Sequence, residues 1–130
     1  GLVSVQVYPQ GNRVAGLIFG ATDQGHYVFR VLGGDASPEN PSLTYDLSYY
    51  DAINDTYRNI REETLRPGFV HGRWQEIRVE LNGDQITCFF AGQQIFDVTD
   101  PDLTSGRVGV VTITLGGILF DNMVVAQPSS

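Results

Sequence analysis

The sequence predicts an all-β chain folded as a two-sheet antiparallel β-sandwich. Three observations carry that prediction. β-Branched and aromatic residues recur in short runs that alternate with polar ones, the period of a half-buried strand. Fifteen glycines and six prolines fall largely between those runs, where turns need them. Asn82-Gly83-Asp84 separates two alternating runs, which is the signature of a tight hairpin.

The elements follow in order. Val3 to Tyr8 alternates and reads as a strand, closed by Pro9-Gln10-Gly11-Asn12. Val14 to Phe19 is a second strand. Asp23-Gln24-Gly25 turns the chain into Tyr27 to Val31, whose odd positions share a face. Residues 33–41 read as a loop. Over 42–66 two patterns compete. Leu43, Leu47, Tyr50, Tyr57 and Ile60 could form a helical face, but Thr, Tyr, Asp, Ser and Asn dominate the segment, and these are poor helix formers. Tyr45, Leu47 and Tyr49 alternate, so a hairpin of 43–51 and 56–65 around Ile53-Asn54-Asp55 is the preferred reading and a helix the alternative.

Trp74 to Leu81 sends Ile77, Val79 and Leu81 inward and Glu76, Arg78 and Glu80 outward. Trp74 itself is read as a packing residue. Ile86 to Phe90 returns, with Cys88 inward, Ala91-Gly92-Gln93 turns again, and Gln94 to Val98 follows. Gly106 to Thr114 and Ile118 to Val125 complete nine or ten strands, enough for a sandwich or jelly roll. The domain is placed at 1–126 and a tail at 127–130. The apolar run Val108 to Ile113 suggests a strand covered on both faces.

Composition excludes several functions. The formal charge is −7, from 15 acids against eight bases, all of them Arg. A net-acidic chain without a basic cluster is a poor partner for nucleic acid or an anionic membrane. No apolar run approaches the ~20 residues of a membrane-spanning helix. Cys88 is the single cysteine, so no intrachain disulfide can form.

The segment Gly72-Arg73-Trp74-Gln75-Glu76-Ile77-Arg78-Val79-Glu80-Leu81-Asn82-Gly83-Asp84 resembles the W-x-x-[IL]-x-V-x-[VL]-x-G-[DN] stretch of concanavalin A-like lectin/glucanase jelly rolls, in particular the laminin-G-like and 3-keto-disaccharide-hydrolase-like domains. Ala91 to Asp97, Ser105 to Val110 and Phe120 to Val125 follow in the family's order, and Ala15 to Phe19 with Tyr27 to Val31 match upstream. The resemblance covers about residues 14–32 and 72–125. Residues 42–71 have no counterpart. Such domains usually have a further stretch before the strand seen here at 3–8. Either the chain is a fragment or a neighbouring segment supplies the missing edge.

The resemblance implies a non-catalytic carbohydrate-recognition or adhesion module of a larger extracytoplasmic protein. The alternatives are a structural or assembly subunit that binds another protein chain through the Tyr-rich insertion, and a sugar hydrolase of the 3-keto-disaccharide type. Hydrolysis needs two carboxylates roughly 5 to 9.5 Å apart. Glu76 and Glu80 lie on one strand face at about 13 Å, too far, and the glucanase motif E-x-D-x-x-E is absent. His26 and His71 are read as loop residues.

The candidate contact residues are Tyr45, Tyr49, Tyr50 and Tyr57 with Arg58, Arg30 and Arg78. A tyrosine offers a flat apolar ring for stacking on a sugar or anchoring an interface, and arginines donate to hydroxyls. In a hairpin Tyr45 and Tyr49 share one face, Tyr50 the other, and one of the faces is core. Tyr49, Tyr57 and Arg58, with Arg30 and Arg78, are expected on a common face. Asp121 is the metal candidate, as ligand of one structural Ca2+, with a purely structural carboxylate as its alternative. Asn54-Asp55-Thr56 fits a glycosylation sequon.

Overall fold

The computed structural model describes residues 1–9, 14–32, 43–64, 72–101, 107–113 and 118–126. Ten strands make up the described chain: β1 (Leu2–Pro9), β2 (Val14–Thr22), β3 (Gly25–Leu32), β4 (Leu43–Asp51), β5 (Thr56–Thr64), β6 (Gln75–Asn82), β7 (Gln85–Phe90), β8 (Gln93–Thr99), β9 (Arg107–Ile113) and β10 (Ile118–Ala126). They form two five-stranded sheets, ordered β10-β1-β6-β7-β8 and β5-β4-β3-β2-β9, with every pairing antiparallel. No described helix is long and apolar enough to cross a membrane.

Alternation decides which side chains meet between the sheets. β1 contributes Val3, Val5 and Val7, β6 Ile77 and Val79, and β7 Ile86, Cys88 and Phe90. The second sheet answers with Leu17, Phe19, Tyr27, Phe29, Val31, Tyr45 and Leu47. Rings bridge the layers: Phe29 meets Phe96 edge-on at 6.0 Å, and Tyr45 meets Phe90 at 5.9 Å. Each fully buried Leu, Ile or Phe contributes about 1.5–3 kcal/mol relative to exposure, so this shared interior is what holds the two layers together.

Turn chemistry fixes register. Ala91 and Gly92 both have positive φ, at 51° and 80°, joining β7 to β8 by two residues. That is the backbone a two-residue hairpin requires, because its twist matches that of the strands. The 43–64 segment is a hairpin and not a helix. At its turn Asp51 Oδ1 accepts the N–H groups of Ile53 (2.9 Å) and Asn54 (3.1 Å), and Oδ2 accepts from Asn54 Nδ2 (2.8 Å). These bonds hold the Asp51 carboxyl below the usual carboxylate range, the Asn54 side-chain amide contributing most.

Two expectations need correction, and a third falls on undescribed side chains. β1 is not an edge, because β10 and β6 flank it on either side. β9, which contains Val108 to Ile113, pairs with β2 at the end of its sheet among the described strands, and its side chains, on which the expected cover of both faces turns, lie outside those described. Trp74 precedes β6, is 47% exposed and lies against Tyr8 with ring centroids 5.4 Å apart; it caps the end of a sheet and is not a core residue. Cys88 is buried as expected, and burial raises its thiol pKa.

Candidate functional site

The outward face of the second sheet is built in rows by strand register. His26 stands opposite Tyr50, and Tyr50 opposite Tyr57. Two residues along, Val28, Ser48 and Asn59 line up. Two further, Gly16, Arg30, Asp46 and Glu62 line up. An aromatic row, a row with hydroxyl and amide groups, and a charged row therefore lie side by side, about 7 Å apart along the strands.

The aromatic row is a continuous shelf. The His26 and Tyr50 rings lie 5.2 Å apart and the Tyr50 and Tyr57 rings 4.8 Å apart, tilted by 44° and 41°. Tyr50 OH donates to Asp55 Oδ1 at 2.6 Å; that bond raises the Tyr50 pKa, so the phenol stays protonated. Partial burial lowers the His26 pKa, so at neutral pH the imidazole is uncharged. Tyr57 completes the shelf with 67% of its surface exposed. Backbone packing supports it from beneath: a Cβ on Gly25 would strike the Tyr50 carbonyl oxygen and come within 2.7 Å of Tyr49 OH.

The charged row is pre-set by one ion pair. Arg30 Nε donates to Asp46 Oδ1 at 2.7 Å and its terminal nitrogen to Oδ2. Asp46 is 1% exposed although it points away from the interior, while the Arg30 side chain is 30% exposed. The hydrogen bond to Asp46 raises the Arg30 pKa.

The candidate residues do not share one face. Tyr45, 2% exposed, is part of the interior, because alternation sends it inward with Leu47. Tyr49 also points inward, its ring 4.8 Å from that of Tyr27. The Arg58 guanidinium lies 5.6 Å from the centre of the Tyr49 ring and donates to Asp100 Oδ2 at 2.8 Å, tying β5 to the end of β8. Arg78 belongs to the outward face of the other sheet, 4.4 Å over the Phe89 ring and between Glu76 (3.7 Å) and Glu80 (3.5 Å). Only Arg30, Tyr50 and Tyr57 come together.

His26 is a strand residue, correcting its placement in a loop, while His71 lies outside the described residues. Among the described residues no three His, Cys, Asp or Glu side chains are arranged to hold a metal ion. The Asp121 backbone pairs with Gln6 in β1, and its carboxylate lies outside the described side chains.

Sequence reasoning missed His26, Ser48, Asn59 and Asp46 as members of this face. The signal was present as two matched alternations, His26-Val28-Arg30 and Asp46-Ser48-Tyr50.

No family model and no curated protein matches the sequence. In three dimensions the chain is similar to a carbohydrate-binding module, CBM66 from Bacillus subtilis, with 14% identity, a TM-score of 0.70, and coverage of 94% of this chain and 71% of that one. It is also similar to sheep galectin-11, solved in complex with glycerol, with 13% identity, a TM-score of 0.63, and coverage of 94% and 86%. Identity this low shows a common fold, the β-sandwich jelly roll, and does not single out the laminin-G-like branch.

Proposed function

We propose that the chain recognises carbohydrate without transforming it, as a module of an extracytoplasmic protein. The observation that carries the reading is the Tyr57–Tyr50–His26 shelf, exposed at Tyr57 and half-buried at Tyr50 and His26, beside Asn59 and Arg30. A sugar ring has an apolar face that stacks on aromatic rings and hydroxyls that need fixed polar partners. The shelf supplies the first, and Asn59 and Arg30 in the two neighbouring rows supply the second. Likeness in fold to a carbohydrate-binding module and a galectin supports the same reading. The extracytoplasmic part rests on the sequence resemblance alone.

The absence of chemistry in this reading is supported by how the carboxylates are held. Both Asp46 oxygens accept from Arg30, and Arg78 sits between Glu76 and Glu80, so these groups serve ion pairs. Binding to a glycan array by the wild type, lost in Tyr57→Ala with an unchanged far-UV circular dichroism spectrum, is the expected result. Retention of binding in that variant refutes the assignment of the shelf.

A second reading is favoured by Ile53, which is 72% exposed at the tip of the same hairpin and is not needed to stack a sugar. It would anchor another protein chain. Self-association or partner capture abolished by Ile53→Ser, in the absence of any glycan binding, distinguishes it.

A further inference from the structure

The polar and aromatic rows are bracketed by acid. At one end the hairpin turn places Asp55 on the Tyr50 hydroxyl at 2.6 Å, with Asp51 closing the same turn. At the other end Glu62 is exposed and stands opposite Asp46. Among the described side chains of this face Arg30 is the one cation, and Asp46 occupies it at two nitrogens. His26 adds no positive charge at neutral pH. The whole chain carries −7, so the long-range field has the same sign.

Building on the saccharide reading of this face, we infer that it selects neutral saccharides and rejects those bearing sulfate, sialic acid or uronate groups, with Asp55 and Glu62 as the discriminating residues. A sugar stacked on Tyr57 and bonded to Asn59 occupies the two central rows. A charged substituent on it then points toward one acidic margin or the other, at about one row spacing, ~7 Å. That is within the Debye length of about 8 Å at physiological ionic strength. Like charges at this range disfavour the anionic ligand by about tenfold at low salt, and the penalty shrinks as salt is raised. Arg30 cannot offset it, because its charge is already balanced across its own row.

The test uses the intact chain and immobilised oligosaccharides in matched pairs that differ by one sulfate, sialic acid or uronate carboxylate. Affinities are measured at low and at high sodium chloride. The expected result is binding of the neutral member, about tenfold weaker binding of its anionic partner at low salt, and convergence of the two at high salt. In Asp55→Asn/Glu62→Gln the neutral-to-anionic ratio at low salt should fall several-fold. The amide that replaces the Asp55 carboxylate keeps an oxygen for the Tyr50 hydroxyl. Equal or tighter binding of the anionic member by the wild type at low salt overturns the inference and leaves the saccharide face standing. An unchanged ratio in the double variant overturns the assignment to these two carboxylates. Failure of every pair to bind overturns the saccharide reading and this inference with it.

Discussion

Replacing Arg30 by Met removes the partner of a carboxylate that has almost no contact with water. Asp46 is 1% exposed and receives both of its described hydrogen bonds from Arg30. Breaking a buried ion pair by deleting one member typically costs about 3–5 kcal/mol, because the other charge stays desolvated. Arg30 is itself 30% exposed, so water entering from that side screens the loss, and the cost expected is about 2–4 kcal/mol. For a domain of this size that lowers the melting temperature by roughly 10 °C. Urea denaturation of the wild type, Arg30→Met, Asp46→Asn and the double variant closes a thermodynamic cycle. The double variant should recover at least half of the loss, since the amide that replaces the Asp46 carboxylate carries no charge to strand. A cost under about 1 kcal/mol for Arg30→Met, the size seen for solvent-exposed pairs, refutes the reasoning, as does a double variant no more stable than Arg30→Met.

Three further outcomes are expected. Ala91 adopts a left-handed conformation, φ 51°, at a cost of about 1–2 kcal/mol for a residue with a Cβ. Ala91→Asn should therefore stabilise the fold by about 0.5–1 kcal/mol in chemical denaturation. The Asp51 carboxyl is held below its ordinary range by bonds from Asn54 and Ile53. A depressed folded-state pKa contributes stability above the unfolded value of about 3.9, lost as pH falls through the folded one. The amides of Ile53 and Asn54 should thus lose hydrogen-exchange protection below about pH 4, before the strands do, in NMR-detected exchange. Cys88 is buried, with its thiol pKa raised. It should resist a disulfide reagent at mildly alkaline pH and react only after denaturant is added.

The hairpins and the division into interior and exterior were legible because each is written locally. Tyr45-Asp46-Leu47-Ser48-Tyr49-Tyr50 shows its two faces by alternation, and Asn82-Gly83-Asp84 shows its turn by composition. His26 was misplaced because the turn before β3 is tighter than its polar residues suggest, so Gly25 already pairs with Asp51. Trp74 was misread because the strand begins one residue later than its hydrophobicity implies. Ile60 follows Arg58 inward by plain alternation, but the register shift after it sets Arg61 opposite Leu47 and Glu62 opposite Asp46, which no period predicts.

The grouping of the site was less legible. Arg30 and Arg78 have the same local setting, an arginine between apolar neighbours on a strand. They end on different sheets because strand order is set by pairings far apart in the chain. The Arg58–Asp100 pair spans 42 positions, and nothing near either residue announces the other.

That pair has a consequence for the lateral margins of the sandwich. β5 and β8 are terminal strands of opposite sheets, and unpaired terminal strands are where foreign strands attach. Asp100 is 4% exposed and its own N–H donates to the Asp84 carbonyl, 2.9 Å away. Asp100 thereby joins the two margins through its desolvated carboxylate, which accepts from Arg58, and joins the β6–β7 bend through its backbone N–H. Peeling either margin away breaks the Arg58–Asp100 pair, so intermolecular strand addition on this flank costs that contact as well as the strand pairing it displaces.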